Sequence, residues 1–331
     1  MPSGRPGRIP SRCTTRTART LADEPRLPNR GYAARVPELP EVETVRAQLE
    51  PALVGRRFER VEINDPRLVQ PREPEEVAAE LEGERVLAVE RRGKYLVVRF
   101  ESGRVLLAHL RMTGSFRHGP AGALEDDRHR RAVVRLDDGS DVAYRDVRRL
   151  GTWLLVEPGE LDPYLAARLG GEPFDATFTP GKLGQRLAGR RAPIKSAILD
   201  QRSVAGVGNI YADEALWRAR LHPLRPAGEL GKDEVRRLHR AIRRALEVGI
   251  ARQGATLRDY ATPSGASGSM QDEFKVYGRA EEPCDRCGAP IERIRVAGRG
   301  TWFCPVCQPR EPAQAASGSS RPSRSSRQSS V

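Results

Sequence analysis

Four cysteines near the C-terminus restrict the fold more than any other feature of the chain. They stand as Cys284-x2-Cys287 and Cys304-x2-Cys307, with sixteen residues between the pairs. In a chain without a secretory pattern, two such pairs read as a metal site rather than as disulfides. This spacing is that of a four-thiolate structural zinc. Four thiolates complete a tetrahedron, so one Zn2+ is expected, with no open position for catalysis. The residues between the pairs must double back as a hairpin, with Ala297-Gly298-Arg299-Gly300 at its tip. A fifth cysteine, Cys13, stands alone.

The formal charge of +13 is unevenly placed. Residues 1–36 carry +6 and residues 308–331 carry +3, while residues 37–190 carry −2 and residues 191–307 carry +6. The basic C-terminal half is a sign of a phosphate-binding face. No apolar run reaches membrane-spanning length, so no membrane partner is expected and a cytoplasmic protein is. Residues 1–35 are rich in Arg, Thr and Pro without a hydrophobic period, and residues 308–331 are Ser/Arg/Pro-rich; both read as disordered.

Between these ends the pattern changes twice. From Arg57 to Tyr144, short apolar runs alternate with turn residues such as Arg92-Gly93, Ser102-Gly103 and Asp138-Gly139. That spacing predicts an antiparallel sandwich or barrel. Residues 169–192 show no clear period and read as an interdomain linker. From Ile194 to Gly254 the chain reads as helical: a short helix to Leu199, a glycine-containing turn to Gly208, a helix over 209–220 and a long one over 233–252. The turn's glycines would let backbone N–H groups approach a phosphate at a helix start, and Asn209 would add a side-chain donor.

Ahead of the strands stands Val36-Pro37-Glu38-Leu39-Pro40-Glu41-Val42-Glu43-Thr44. Pro40 suits a first helical position, and Glu41 and Glu43 favour the first turn. Val42, Val45, Leu49 and Leu53 then form one apolar face, and Gly55 ends it. The PELPEVET segment resembles the mature N-terminus of the formamidopyrimidine-DNA glycosylase family. Ala205-Gly206-Val207-Gly208-Asn209-Ile210-Tyr211-Ala212-Asp213-Glu214 resembles that family's helix–two-turns–helix motif. The resemblance covers residues 37–307.

The resemblance implies roles for individual residues. Pro37 would be the nucleophile through its secondary amine, Glu38 the acid, and Lys94 a catalytic lysine near the lesion phosphates. Arg299 would meet DNA phosphate from the zinc hairpin, with Arg293 as another basic contact. His109 would touch phosphate, Met112 would fill the hole left by an everted base, and Arg148 would pair with the orphaned base. Leu150 stands where the family often has phenylalanine; it can still wedge into the stack, without the stacking. Lys195, Asn209 and Tyr277 fall at DNA-contacting positions, and Cys284, Cys287, Cys304 and Cys307 at the zinc ligands. Residues 261–272 match a lid over the everted purine.

The expected architecture is α+β: an N-terminal antiparallel β-sandwich with flanking helices, a helical helix–two-turns–helix domain, and a zinc-finger β-hairpin. The expected bounds are 37–168 for the catalytic domain, 193–280 for the helical domain and 281–307 for the finger. The resemblance implies a base-excision-repair glycosylase and abasic-site lyase for oxidised purines, working as a monomer on duplex DNA in a bacterial nucleoid. Two rivals remain. One is an endonuclease VIII-like enzyme for oxidised pyrimidines, which usually opens PEGPE, against Leu39 here. The other is a catalytically silent damaged-DNA-binding protein. An internal Pro37 has an amide nitrogen and cannot attack, so the functional chain is expected to begin at Pro37. Val36 would then be a GTG start, and residues 1–36 a mis-assigned gene start.

Overall fold

The structure, a computed structural model, describes residues 36–122, 125–256 and 261–310. The expected N-terminal extension, Cys13 and the tail beyond residue 310 lie outside the described residues.

Helix α1 (Leu39–Leu53) opens with Pro40 in its first turn and buries Val42, Val45, Leu49 and Leu53. Burying each such side chain contributes about 1.5–3 kcal/mol. The chain then runs through β1 (Phe58–Ile63), α2 (Pro74–Leu81), β2 (Val86–Arg92), β3 (Tyr95–Phe100), β4 (Val105–His109), β5 (Gly114–Pro120), β6 (Arg130–Leu136), β7 (Ser140–Asp146) and β8 (Thr152–Val156). These strands form two four-stranded antiparallel sheets, ordered β1-β6-β7-β5 and β2-β3-β4-β8. The apolar face of α1 joins the core between them.

Strand alternation explains how the second sheet is covered twice. Leu96, Val98, Leu106 and Ala108 face the sandwich core, while Val97, Val105 and Leu107 face outward onto Leu161 and Leu165 of α3 (Leu161–Ala166). Successive side chains point to opposite faces, so β4 is buried along its whole length.

The stretch 169–192, read as an interdomain linker with no clear period, contains regular structure. Gly171 bridges to Val204, and α4 (Pro180–Leu187) buries Leu183 and Leu187. The Thr179 hydroxyl caps α4 by accepting the Lys182 N–H. Its two-leucine period is too short to stand out among Gly, Pro and Arg. Helix α4 packs on α7, and this segment belongs to the helical layer made with α5 (Ile194–Leu199), α6 (Asn209–Ala219) and α7 (Lys232–Ala251). The hairpin of β9 (Glu292–Val296) and β10 (Arg299–Phe303) packs on α6 through β10. Among the described residues, no helix is long and apolar enough to cross a membrane.

Candidate active site

The start of α1 is inserted against the start of α6. The Leu39 N–H donates to the Gly206 carbonyl at 3.0 Å. The Glu38 carboxylate accepts the backbone N–H groups of Gly208 at 2.7 Å, Ile210 at 2.8 Å and Tyr211 at 3.4 Å. The two glycines of the turn serve this contact. Gly206 has φ +83°, and a Cβ there would sit 2.6 Å from the Leu39 side chain. A Cβ on Gly208 would come within 2.3 Å of the Glu38 carboxyl carbon. The expectation that these N–H groups await a phosphate is therefore corrected: a carboxylate of the same chain already takes the α6 N-terminus.

Burial pushes the Glu38 pKa up to about 7. The Lys94 charge and the amides of Ile210 and Tyr211 pull it down, and Glu41 adds to the rise. At neutral pH this carboxyl therefore holds its proton about half the time, as an acid catalyst must. Glu41 is a second hub. It accepts the Glu38 N–H at 2.9 Å, the Tyr211 hydroxyl at 2.9 Å and the Ala255 N–H at 2.8 Å, so α1, α6 and the end of α7 meet on one carboxylate. Burial raises its pKa as well.

Lys94 sits in the β2–β3 turn. Glu172 fixes that turn, accepting the Gly93 N–H and, at 3.0 Å, the Arg91 guanidinium. Arg91 also reaches Glu43 of α1 at 2.9 Å. Burial lowers the Lys94 pKa; Glu38 and Glu41 oppose the shift, and Arg299 adds to it. Glu38, Lys94 and Arg299 thus lie within one electrostatic neighbourhood, beside the buried Pro37.

Asp146 organises a second group. It accepts the Thr113 hydroxyl, the Arg148 N–H at 3.2 Å, the Leu150 N–H at 2.8 Å and the Gly151 N–H at 2.7 Å. The loop after β7 is thereby pinned to the turn that carries the half-buried Met112. Arg149 is tied to Asp65 by two bonds of 2.6 and 2.7 Å. Arg148 and Leu150 are both exposed. His109 is buried, and its Nδ1 accepts the Arg111 N–H at 3.0 Å. Burial, reinforced by the charges of Arg111 and Lys94, pushes its pKa down to about 3. The ring is neutral, and Nε2 carries the proton it can donate.

Three expected DNA contacts also make bonds within the chain. Lys195 is fully buried, with its ammonium 2.7 Å from Asp213 Oδ1, 2.9 Å from the Gly300 carbonyl and 2.7 Å from the Thr301 hydroxyl. Two of these contacts are hydrogen bonds and the third is an ion pair, so the Lys195 ammonium is turned inward. Asn209 donates to Gly300 O at 3.0 Å and to the Tyr277 hydroxyl at 3.5 Å. Tyr277 is buried against Phe274 and Trp302. Its segment is held by Glu214, whose Oε1 accepts the N–H groups of Lys275, Val276 and Tyr277 at 2.9–3.1 Å. Glu41, Glu172, Asp213 and Glu214 were not singled out from the sequence. Acids in a motif read as solvated, and only the fold shows what they accept.

The hairpin tip is Ala297-Gly298, and Arg299 opens the return strand opposite Val296. Register places Arg293 beside Trp302, with its guanidinium 5.3 Å from the ring, on the face opposite Arg299 and Thr301. In the expected lid, Arg117 donates to Thr262 O at 2.8 Å and Ala261 O at 3.3 Å, and the Ser264 N–H donates to Gln48 at 3.2 Å. Its end, Met270–Glu273, is a single helical turn.

The four cysteine sulfurs lie within 4.8 Å of one another, with Cys284–Cys307 at 3.9 Å and Cys287–Cys304 at 3.5 Å. A tetrahedron with Zn–S of about 2.3 Å sets its sulfurs roughly 3.8 Å apart, so the cluster fits one zinc. Trp217 Nε1 and the Cys307 N–H donate to Cys284 and Cys304 at 3.4 and 3.3 Å, which offsets thiolate charge. The finger extends past the expected boundary at 307. Gln308 is fully buried, donating to Leu221 O and accepting the Cys304 N–H.

Comparison with known proteins covers the same ground. Family models match the formamidopyrimidine-DNA glycosylase N-terminal domain over residues 36–153, its H2TH domain over 169–261, and the zinc finger found in FPG and IleRS over 281–310. The formamidopyrimidine-DNA glycosylase of Symbiobacterium thermophilum is 51% identical over 83% of this chain and 90% of its own length. A Lactococcus lactis FPG mutant complexed with Fapy-dG-containing DNA superposes with a TM-score of 0.78 at 39% identity, covering 82% of this chain and all of the other. The wild-type Lactococcus lactis protein, complexed with DNA containing an oxidised pyrimidine, gives 0.76 at 39% identity with the same coverage. A fold shared along its length, a four-cysteine finger and relatives at this identity converge: the chain belongs to the formamidopyrimidine-DNA glycosylase family.

Proposed function

We propose that the chain removes oxidised purines from duplex DNA and cleaves the resulting abasic site, with Pro37 as nucleophile. The observation that carries this reading is Glu38: a carboxyl raised to about 7, fixed by three N–H donors, next to the buried Pro37. The Pro37 nitrogen attacks C1′ of an everted nucleotide, the bond from C1′ to the base breaks, and the departing base takes up the proton that the amine nitrogen loses. Glu38 gives its proton to the ring oxygen as the sugar opens, leaving a cationic iminium. The iminium accepts the electron pair released when a C2′ proton leaves, and the 3′ phosphate departs. A second elimination expels the 5′ phosphate and leaves a one-nucleotide gap.

Around this centre, Lys94 and Arg299 hold the flanking phosphates. Neutral His109 donates from Nε2, and Met112, Arg148 and Leu150 occupy the space the base vacates. Arg293 reaches phosphate from the outer face of the finger. Asn209, at the start of α6, and Tyr277 contact the DNA backbone. Residues 37–168 form the catalytic domain and 261–272 the lid. The enzyme works as a monomer on the bacterial chromosome. The reading requires a free amine on Pro37, because an amide nitrogen's lone pair is delocalised into its carbonyl.

The test is borohydride trapping on an 8-oxoguanine duplex, with protein beginning at Pro37 and with the 331-residue chain side by side. A covalent complex with the first alone supports the reading. Trapping by the chain that retains Val36 overturns Pro37. A parallel duplex with an oxidised pyrimidine is warranted by the relative bound to such DNA. Faster excision there favours the pyrimidine reading, and binding without trapping favours a silent binder.

A further inference from the structure

Lys195 is remote from solvent, yet its ammonium is spent on the strand that carries Arg299. Two of its three bonds go to Gly300 O and Thr301 Oγ1, the two residues that follow Arg299. The third goes to Asp213, whose other oxygen accepts the Trp302 N–H at 3.1 Å. Asn209 adds a second donor to Gly300 O. Residues 300, 301 and 302 are thus each held by a side chain of α5 or α6, whereas Arg299 itself is exposed. The charge of Arg299 also bears on Lys195, lowering its pKa after burial has done so.

We propose that Lys195, with Asp213, is a positioning residue that acts through Arg299: it fixes β10 against α5 and α6 so that the Arg299 guanidinium meets the DNA backbone in a set register. The proposal rests on the reading of Arg299 as a phosphate contact. The geometry favours it over direct recognition of DNA by Lys195. A phosphate oxygen could be reached only by giving up one of these inward contacts, and leaving Asp213 would strand a buried carboxylate oxygen. A coupled arrangement also explains why a lysine stands at this buried place. Its flexible stem delivers three donors to three acceptors on two separate elements.

The test pairs Lys195→Met with Asp213→Asn, because removing one charge alone leaves the other buried and unpaired. Binding to an abasic-site duplex is measured across a salt titration for wild type, Arg299→Ala, the paired variant, and the paired variant with Arg299→Ala. Zinc content is measured on each. The expected result is a loss of about tenfold for Arg299→Ala, with the salt slope lower by about one. The paired variant matches it with zinc retained, and the combination is no weaker than either. Losses that multiply overturn the proposal and give Lys195 a DNA contact of its own. Wild-type binding by the paired variant, or loss of its zinc, also overturns it. Wild-type binding by Arg299→Ala overturns the phosphate role of Arg299, and the proposal with it. If the paired variant does not fold, Thr301→Val replaces it: a smaller loss that vanishes in the Arg299→Ala background supports the proposal, and a loss that persists there overturns it.

Discussion

The Glu38 carboxylate and the Gly208 N–H, 170 residues apart in the chain, are joined at 2.7 Å. That bond requires the absence of a side chain at position 208, where a Cβ would overlap Glu38 itself. Gly208→Ala is expected to push Glu38 off the α6 N-terminus. Base removal should fall by about a hundredfold or more, on the scale of a lost acid catalyst. Cleavage of a preformed abasic site should fall less, since the amine survives. Single-turnover rates on the two substrates check this; equal losses would mean that Gly208 supports the fold as a whole.

The acidity of Glu38 sets a pH dependence. Its folded pKa, about 7, lies above the ordinary value of 4.5. The folded state therefore binds the proton more tightly than the unfolded one, and stability is lost as pH rises from about 4.5 through 7. Against Glu38→Gln, which cannot ionise, wild type should lose about 3 kcal/mol of relative stability over that window. Denaturant titrations of both proteins at pH 4.5 and 8 measure it. A constant difference would mean that Glu38 is not held protonated.

Removal of zinc should abolish DNA binding while leaving the sandwich folded, because the two lie in separate cores. Cys304→Ser is expected to lose the single bound zinc, and with it the hairpin that carries Arg299. Metal analysis and duplex binding decide the matter; full binding by zinc-free protein would contradict it.

Leu150 is exposed on a loop held by three N–H bonds to Asp146. Leu150→Ala should leave the unfolding free energy within about 0.5 kcal/mol of wild type, as for a surface change. On its proposed role as a wedge, it should slow excision from duplex DNA roughly tenfold. An unaltered excision rate would remove Leu150 from base eversion.

Much of this was legible in residue order. The four cysteines and the helical face of Val42, Val45, Leu49 and Leu53 occur where their spacing places them. Strand β5 was not legible, because Gly114, Gly119 and Pro120 interrupt its apolar pattern and only the pairing with β7 shows it. Nor was α4, too short for its two leucines to show a period. Lys195 was placed near DNA by the resemblance alone, and nothing local reveals that Asp213 and Thr301 close over it. Buried polar networks are written across distant residues, and a single stretch carries only one of their ends.

The junction of α1 with α6 also bears on how the chain comes off the ribosome. Glu38 is synthesised early, whereas the amides that hold it emerge only after residue 211. Until then it is an ordinary water-exposed acid, ionised at neutral pH and unable to donate a proton. Under the proposed mechanism the acid beside Pro37 is thus completed last, so an unfinished chain lacks its proton donor.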